Sequence, residues 1–277
     1  MDLLREESQQ KTAYLNYLFE HHQSLVANNS IMKNVTSHLV QEKSVCNYIL
    51  VSQCVRFYTN AKEKELDNFI KEFQKLVASD EKAQLVDKFL TLLFTDMGTD
   101  RLWQIVTEEQ FEYGIKLVER YVMGQIYPFA LYPNGDGDIY RDQILQKHIQ
   151  ALSGVISPSH NDLRIPVVYH SQCPWESVQK QISTINAYKT PREKVDCVVK
   201  CCKMLMNLLS LAHRRSIPSA DDMIPVLVYV LIKANPSWLL SNVQYVNCFY
   251  DKHLEGEQAY WWTQFSSAVE FVKTMDY

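Results

Sequence analysis

Apolar positions recur along most of this chain at intervals of three and four residues, the period of a helix with one buried face. Tyr14, Leu15, Leu18, His22 and Leu25 mark a first such segment, and Val35, Leu39, Cys46 and Ile49 a second. Leu66, Phe69, Phe73 and Val77 predict a third helix, and Leu85, Phe89 and Leu92 a fourth. The fifth stripe is the cleanest, through Phe111, Ile115, Val118, Val122 and Ile126. Thr107 and Gln110 precede it with the spacing of a capping box, in which each side chain accepts the other residue's free N–H. The expectation is an N-terminal bundle of about five helices over residues 1–134.

The run Tyr132-Pro133-Asn134-Gly135-Asp136-Gly137-Asp138 concentrates turn formers and closes that region. Counted as a calcium loop from Asn134, it would need glycine where Ile139 stands and glutamate where Leu145 stands, so it reads as a linker or loop. A helix is expected near residues 138–152. An irregular span follows from Ser157 to Trp175, carrying Pro158, Pro166 and Pro174, and is expected to wrap the bundle. Thr190-Pro191-Arg192-Glu193 then reads as a complete helix start. It opens a mostly buried helix through Val195, Val198, Val199, Cys202, Leu205 and Leu208 to about His213.

The stretch after Ser219 is the most informative. Every residue from Met223 to Ile232 except Pro225 is apolar, and a segment apolar on all sides is buried. Ten residues are too few for a bilayer, which needs about 20. The β-branched content leaves a strand open, but both ends carry helix punctuation: Ser219 with Asp222 three residues on, and Asn235-Pro236 as a stop. Asp221 and Asp222 then occupy the first turn, where free N–H groups favour carboxylates. Pro225 cannot donate to the carbonyl of Asp221, which predicts a distorted first turn. A further helix turns Leu239, Val243, Val246 and Tyr250 inward. In the last helix, about residues 257–275, Trp261, Phe265, Ala268 and Val272 form the core-facing stripe. Tyr260, Thr263 and Ser267 fall on another face and make a candidate contact surface.

Composition narrows the classes. Of 277 residues 47% are hydrophobic, ample for a core, and seven glycines with nine prolines are few for an all-β chain. A net charge of −4 gives no support for nucleic acid or an anionic membrane as main partner. Seven cysteines, an odd number without Cys-x-x-Cys spacing, and a start lacking an apolar signal region point to a cytosolic chain with reduced thiols. Cys197 and Cys201, one turn apart, read as buried residues, because two further metal ligands are missing; His170 and Cys173 likewise give little support for a metal. No phosphate loop, dinucleotide fingerprint, zinc-protease motif or serine-hydrolase elbow occurs, so covalent catalysis and a cofactor are not expected.

Four pieces together carry a resemblance: Ala-Asp-Asp-x-x-Pro-Val-Leu at 220–227, Lys-Ala-Asn-Pro at 233–236, Ser-Asn-Val-Gln-Tyr at 241–245 and Gly-Glu-x-x-Tyr-x-x-Thr at 256–263. Jointly they resemble the vacuolar protein sorting 9 domain, a family of exchange factors for Rab GTPases of the early-endosomal Rab five class. Ile165-Pro166-Val167-Val168-Tyr169-His170, Cys173-Pro174-Trp175 and Tyr260-Trp261-Trp262 are most similar to its Gapex and receptor-mediated-endocytosis branch. The resemblance implies an all-α fold, with an N-terminal helical bundle packed on a layered helical domain over 135–277. It implies Asp221 as an acidic finger and Tyr260 as a catalytic contact, with Asp222, Pro225, Asn235, Gln244 and Thr263 binding the GTPase. Ser237 and Met223 depart from the family's usual residues, a second proline and an aromatic. The implied partner is a Rab in its nucleotide-free or GDP form, met in the cytoplasm at the periphery of early endosomes or endocytic vesicles, with membrane engaged only through other factors. The resemblance is strong over about 138–276, and the Ras-type GTPase-activating domain of that branch has no counterpart, so the chain reads as a fragment or short relative. The competing reading is a helical adaptor that grips a GTPase or endosomal protein without catalysing exchange.

Overall fold

The chain has no glycine before Gly98 and no proline before Pro128, so nothing in its first hundred residues forces a helix to stop. The computed structural model describes residues 2–212 and 218–276, with side chains described there except at 2–10, 25, 171, 172, 220 and 221. Its first helix, α1 (Asp2–Ala61), is 60 residues long and joins the two N-terminal segments that were expected to be separate. Asn28-Asn29 between them lowers helix propensity by tenths of a kcal/mol per residue, far short of what a proline imposes. The expected five-helix bundle is therefore a four-helix one: α1, α2 (Glu63–Lys75), α3 (Ser79–Thr99) and α4 (Glu108–Leu131).

Only the last turns of α1 join that bundle. Val51, Val55 and Tyr58 are buried, whereas residues 11–43 are exposed wherever they are described. Tyr58 fixes the join by donating from its hydroxyl to the Leu93 carbonyl at 2.9 Å. On α2 the expected stripe of Leu66, Phe69 and Phe73 is buried, but Val77 lies past the helix end and is 89% exposed. On α3 the buried face is Val86, Leu93 and Met97, while Leu85 and Phe89 are half-buried and Leu92 is exposed, a rotation of one position from the expected stripe. The capping box before α4 is present, with Gln110 N–H to Thr107 Oγ1 at 3.3 Å and Thr107 N–H to Gln110 Oε1 at 2.9 Å.

Gly135 (φ 59°) turns the chain into α5 (Asp136–Val155), and Asp138 closes this turn by accepting the Asn134 N–H at 2.9 Å. The span before Trp175 is irregular as expected, apart from a 3-10 turn at Val167–Gln172. A short α6 (Glu176–Ser183), unforeseen in the sequence, and α7 (Pro191–Ala212) follow. At the start of α7, Thr190 Oγ1 accepts the Glu193 N–H at 3.1 Å and donates to the Glu193 carboxylate at 2.9 Å. The expected end near His213 lies outside the described residues. Then come α8 (Ala220–Ala234), α9 (Leu239–Phe249) and α10 (Gly256–Thr274). Every regular element among the described residues is helical, and α8 is the centre of the C-terminal layers: Val226 through Ile232 are all buried, with α5, α6, α7 and α10 packed around it. Cys197, Cys201 and Cys202 are buried thiols in the same core.

Both halves share one continuous core, since α3 and α4 pack on α9. Two crossed ion pairs also tie α4 to the start of α7, Arg192 with Glu119 at 3.0 Å and Arg120 with Glu193. Deeper still, Lys194 is fully buried, donating to the Ile185 carbonyl at 3.0 Å and lying 5.2 Å from the Tyr127 ring centre. Burial pushes its ammonium down to about 7 from an ordinary 10.5. Between these values the unfolded chain holds a proton that the folded chain has released, so stability rises with pH from about 7. Above about 9 this rise is offset, because burial pushes the Cys202 thiol up to about 12 and the folded state retains a proton that the unfolded state loses. Urea midpoints should accordingly increase between about pH 7 and 8.5, and Lys194→Met should flatten that rise.

Candidate functional site

The first turn of α8 is built by a reciprocal cap. Asp222 Oδ2 accepts from the Ser219 N–H at 2.9 Å and from the Ser219 hydroxyl at 2.8 Å, while the Asp222 N–H donates to Ser219 Oγ at 3.2 Å. One of the two adjacent acids is thus committed to closing the helix end. The backbone of Asp221 lies in the same turn of α8; its side chain lies outside the described residues. The helix runs unbroken through Pro225, which is half-buried and leaves the Asp221 carbonyl without its α-helical donor. Tyr169, buried in the 3-10 turn, faces this end of α8: burial and then the Asp222 carboxylate push its phenol up.

On α10 the expected stripe holds at Phe265, Ala268 and Val272 and differs only at its first residue. Trp262, Phe265, Ala268, Val269 and Val272 are buried, and Trp261 is half-buried at the margin. Adjacent tryptophans followed by apolar residues fit either register equally well in sequence. The deciding contact is tertiary: the Trp262 indole N–H donates to Asn247 Oδ1 of α9 at 2.8 Å. Lys203 with Glu257 at 2.7 Å and Gln258 with Asp196 at 2.9 Å pin the start of α10 to α7. That register leaves Tyr260, Thr263 and Ser267 exposed on one face, as expected. Tyr260 is 42% exposed, its ring edge-on to Trp261 with centroids 4.7 Å apart. Thr263 returns its hydroxyl to the Ala259 carbonyl at 2.8 Å, which directs its methyl group outward.

Helices α8 and α10 pack against each other, and both end on α5. Lys233 donates to the Ser153 carbonyl at 2.7 Å, and the Val272 carbonyl meets His148 Nε2 at 3.2 Å. Asp221 and Tyr260 each precede these anchor residues by twelve positions, about 18 Å of helix. The acidic turn and the exposed tyrosine therefore occupy the same end of the helix pair.

Asn235 and Gln244 sit elsewhere. Asn235 ends α8 in the left-handed conformation (φ 42°), and its amide donates to the Gln146 carbonyl at 3.2 Å. Gln244 accepts from Arg141 at 2.8 Å. Both hold α8 and α9 to α5, about 20 Å of helix from Asp221 in the case of Asn235. Gln244 also borders a cleft of about 710 Å³ between α5, α9 and α10, together with Arg141, Ile144, His148, Val243 and Lys273. The cleft lies toward the C-terminal end of α10, away from Tyr260. Among the described residues no group of three or more His, Cys, Asp or Glu side chains is placed to hold a metal ion, and no helix is long and apolar enough to cross a membrane.

The family pattern of the Vacuolar sorting protein 9 (VPS9) domain matches residues 175–277, from the turn before α6 through α10. This part of the chain belongs to the VPS9 domain family. Residues 64–127, covering α2 to most of α4, match a domain of unknown function (DUF5601). The chain is 46% identical over 99% of its length to human "GTPase-activating protein and VPS9 domain-containing protein 1", covering 18% of that protein. It is 37% identical over 99% of its length to the "Receptor-mediated endocytosis protein 6 homolog" of Drosophila pseudoobscura pseudoobscura, covering 15% of it. Identity to "Receptor-mediated endocytosis protein 6" of Caenorhabditis elegans is 34% over 99% of the chain and 26% of that protein. The chain thus spans about a fifth of these relatives' length, and they are the branch that the sequence resembled. The VPS9 domain includes the first turn of α8 and the exposed face of α10, with α5 bracing both helices from outside the matched region.

Proposed function

We infer that the chain is a guanine-nucleotide exchange factor that accelerates GDP release from a Rab small GTPase of the early-endosomal Rab five class. The observation that supports it best is the shared end of α8 and α10. There a first turn with two adjacent acids, one of them taken up by the cap, lies at the level of an exposed tyrosine on a VPS9 domain. In this reading Asp221 is the acidic finger and Tyr260 the principal contact to the switch regions. Thr263 extends the contact, Asp222 and Pro225 shape the turn that carries Asp221, and Asn235 and Gln244 act by holding α8 and α9 on α5.

The chemistry is electrostatic. A carboxylate delivered beside the GTPase's phosphate-binding lysine and Mg²⁺ pairs with the lysine in place of a nucleotide phosphate and repels the phosphate it replaces. A unit charge pair at 4 Å is worth about 4 kcal/mol at an effective dielectric of 20, before desolvation. The rest of the displacement comes from holding the switch regions open on the α8–α10 face. Linkage requires that a factor weakening nucleotide binding be weakened equally by nucleotide, so the complex is tight only with the empty GTPase. Cellular nucleotide levels then set the direction toward GTP. No covalent step, cofactor or resident metal enters this scheme, and the protein would work in the cytoplasm at the surface of early endosomes or endocytic vesicles.

Release of a fluorescent GDP analogue from a Rab five class GTPase tests it. Acceleration that scales with the concentration of the chain is the expected result. Binding to the nucleotide-free GTPase with an unchanged release rate would make the chain an adaptor.

A further inference from the structure

The exposed part of α1 carries a seven-residue apolar pattern. Leu18, Leu25, Met32, Leu39 and Cys46 stand seven residues apart, and Tyr14, Val35 and Ile49 fall on a neighbouring position of the same repeat, which also holds His21, Asn28 and Glu42. A strict seven-residue apolar repeat averages 3.5 residues per turn and generates a left-handed supercoil with a second helix of matching repeat. The seam is uncovered: Leu18 is 44% exposed, Met32 62%, Leu39 59% and Ile49 57%.

Two further observations bear on what covers it. Where α1 meets its own bundle it does so through Val51, Val55 and Tyr58, with Tyr48 edge-on to Tyr113 at 4.8 Å. At 100° per residue this face lies roughly opposite Leu39, Cys46 and Ile49. The bundle therefore leaves the seam open even at the level where it covers the other side of the helix. Second, residues 14–50 contain only four charged side chains, Glu20, Lys33, Glu42 and Lys43, and are rich in Asn, Ser and β-branched residues. Such a composition has little intrinsic helicity, so a helix of this length owes its stability to burial of its apolar face.

We propose that α1 pairs with α1 of a second copy of this chain as a parallel, in-register coiled coil. A seam of matching repeat is what the partner must supply, and the chain's own seam supplies it. In register, each leucine meets its counterpart, and the polar residues His21 and Asn28 meet their own, whereas a shifted register would bury them against apolar side chains. Glu42 is the one carboxylate at a seam position, where it meets its own counterpart, and Lys43 beside it offsets part of that repulsion. Residues 14–50 extend about 55 Å, and a seam of this length buries on the order of 1,000 Å² per copy, in the range of stable dimers. Because the bundle lies on the opposite face of α1, it leaves this face free for the second copy.

Light scattering on the full chain at tens of micromolar is expected to give twice the 32.3 kDa chain mass, and the double variant Leu18→Glu/Leu39→Glu the single mass. A short bismaleimide should link the two copies through Cys46, an exposed thiol at a seam position, with the linked species absent in Cys46→Ser. A wild-type mass of one chain overturns the proposal, as does a dimer that survives the double variant. A dimer that does not link through Cys46 excludes the parallel, in-register arrangement.

Discussion

Asp221→Ala is expected to slow GDP release by roughly 10²-fold, the usual worth of one preorganised electrostatic group, while unfolding free energy changes by no more than about 1 kcal/mol, the scale of a first-turn charge. The neighbouring Asp222→Ala should behave in the opposite sense. Asp222 carries the cap through two bonds to Ser219, and losing an N-terminal cap costs about 1 kcal/mol of stability. Exchange should fall only as far as the first turn of α8 loosens. Comparing the two acids separates the electrostatic role from the structural one within a single turn, using release rates and urea midpoints on the same preparations. If Asp222→Ala abolishes exchange and Asp221→Ala does not, the finger belongs one residue later. If Asp221→Ala instead unfolds the chain, its carboxylate is part of the helix cap.

The largest expected loss of stability is at Asp142. Its carboxylate is buried on α5, 3% exposed, and Oδ1 accepts the N–H groups of Leu240 at 2.9 Å and Ser241 at 3.3 Å. These are free donors of the first turn of α9, whose own N-cap residue, Trp238, is left-handed (φ 58°) and provides no side-chain cap. A residue nearly a hundred positions away therefore closes this helix. Hydrogen bonds to a charged group contribute about 1.5–3 kcal/mol each, and buried donors left unpaired add a desolvation cost, so Asp142→Ala should destabilise the chain by about 3 kcal/mol or more. Asp142→Asn keeps an acceptor without the charge and should recover about half of that. Denaturant midpoints measure both, and a loss below about 1 kcal/mol for the alanine variant would show that α9 does not depend on this cap.

The parts of the site that were legible in the sequence are those governed by local chemistry. Ser219 and Asp222 stand three residues apart in a stretch where only a helix start makes sense of them, and the cap forms as their spacing implies. The apolar run after Pro225 could be assigned to the core because no rotation of that helix exposes a polar face. Tyr260, Thr263 and Ser267 share a face by helical period alone, and all three are exposed. What could not be read was each choice between nearly equivalent registers. Trp261 and Trp262 offer equal hydrophobic area, and Asn247 on another helix decides between them. The break expected in α1 failed for a related reason, since asparagines permit a helix end without enforcing one.

By itself, then, the sequence determined the all-α class, the burial of α8, its capped acidic first turn and the polar face of α10, all of which follow from interactions within a few residues. Tertiary structure alone decided that α8 and α10 end together on α5, so that Asp221 and Tyr260 share one end of the pair, and that Asn235 and Gln244 hold α8 and α9 to α5. It also decided that Asp142 caps α9 and that the seven-residue seam of α1 faces away from its own bundle. Each of these depends on contacts between residues far apart in the chain. Such contacts are fixed by the packing of whole helices, which local spacing does not encode.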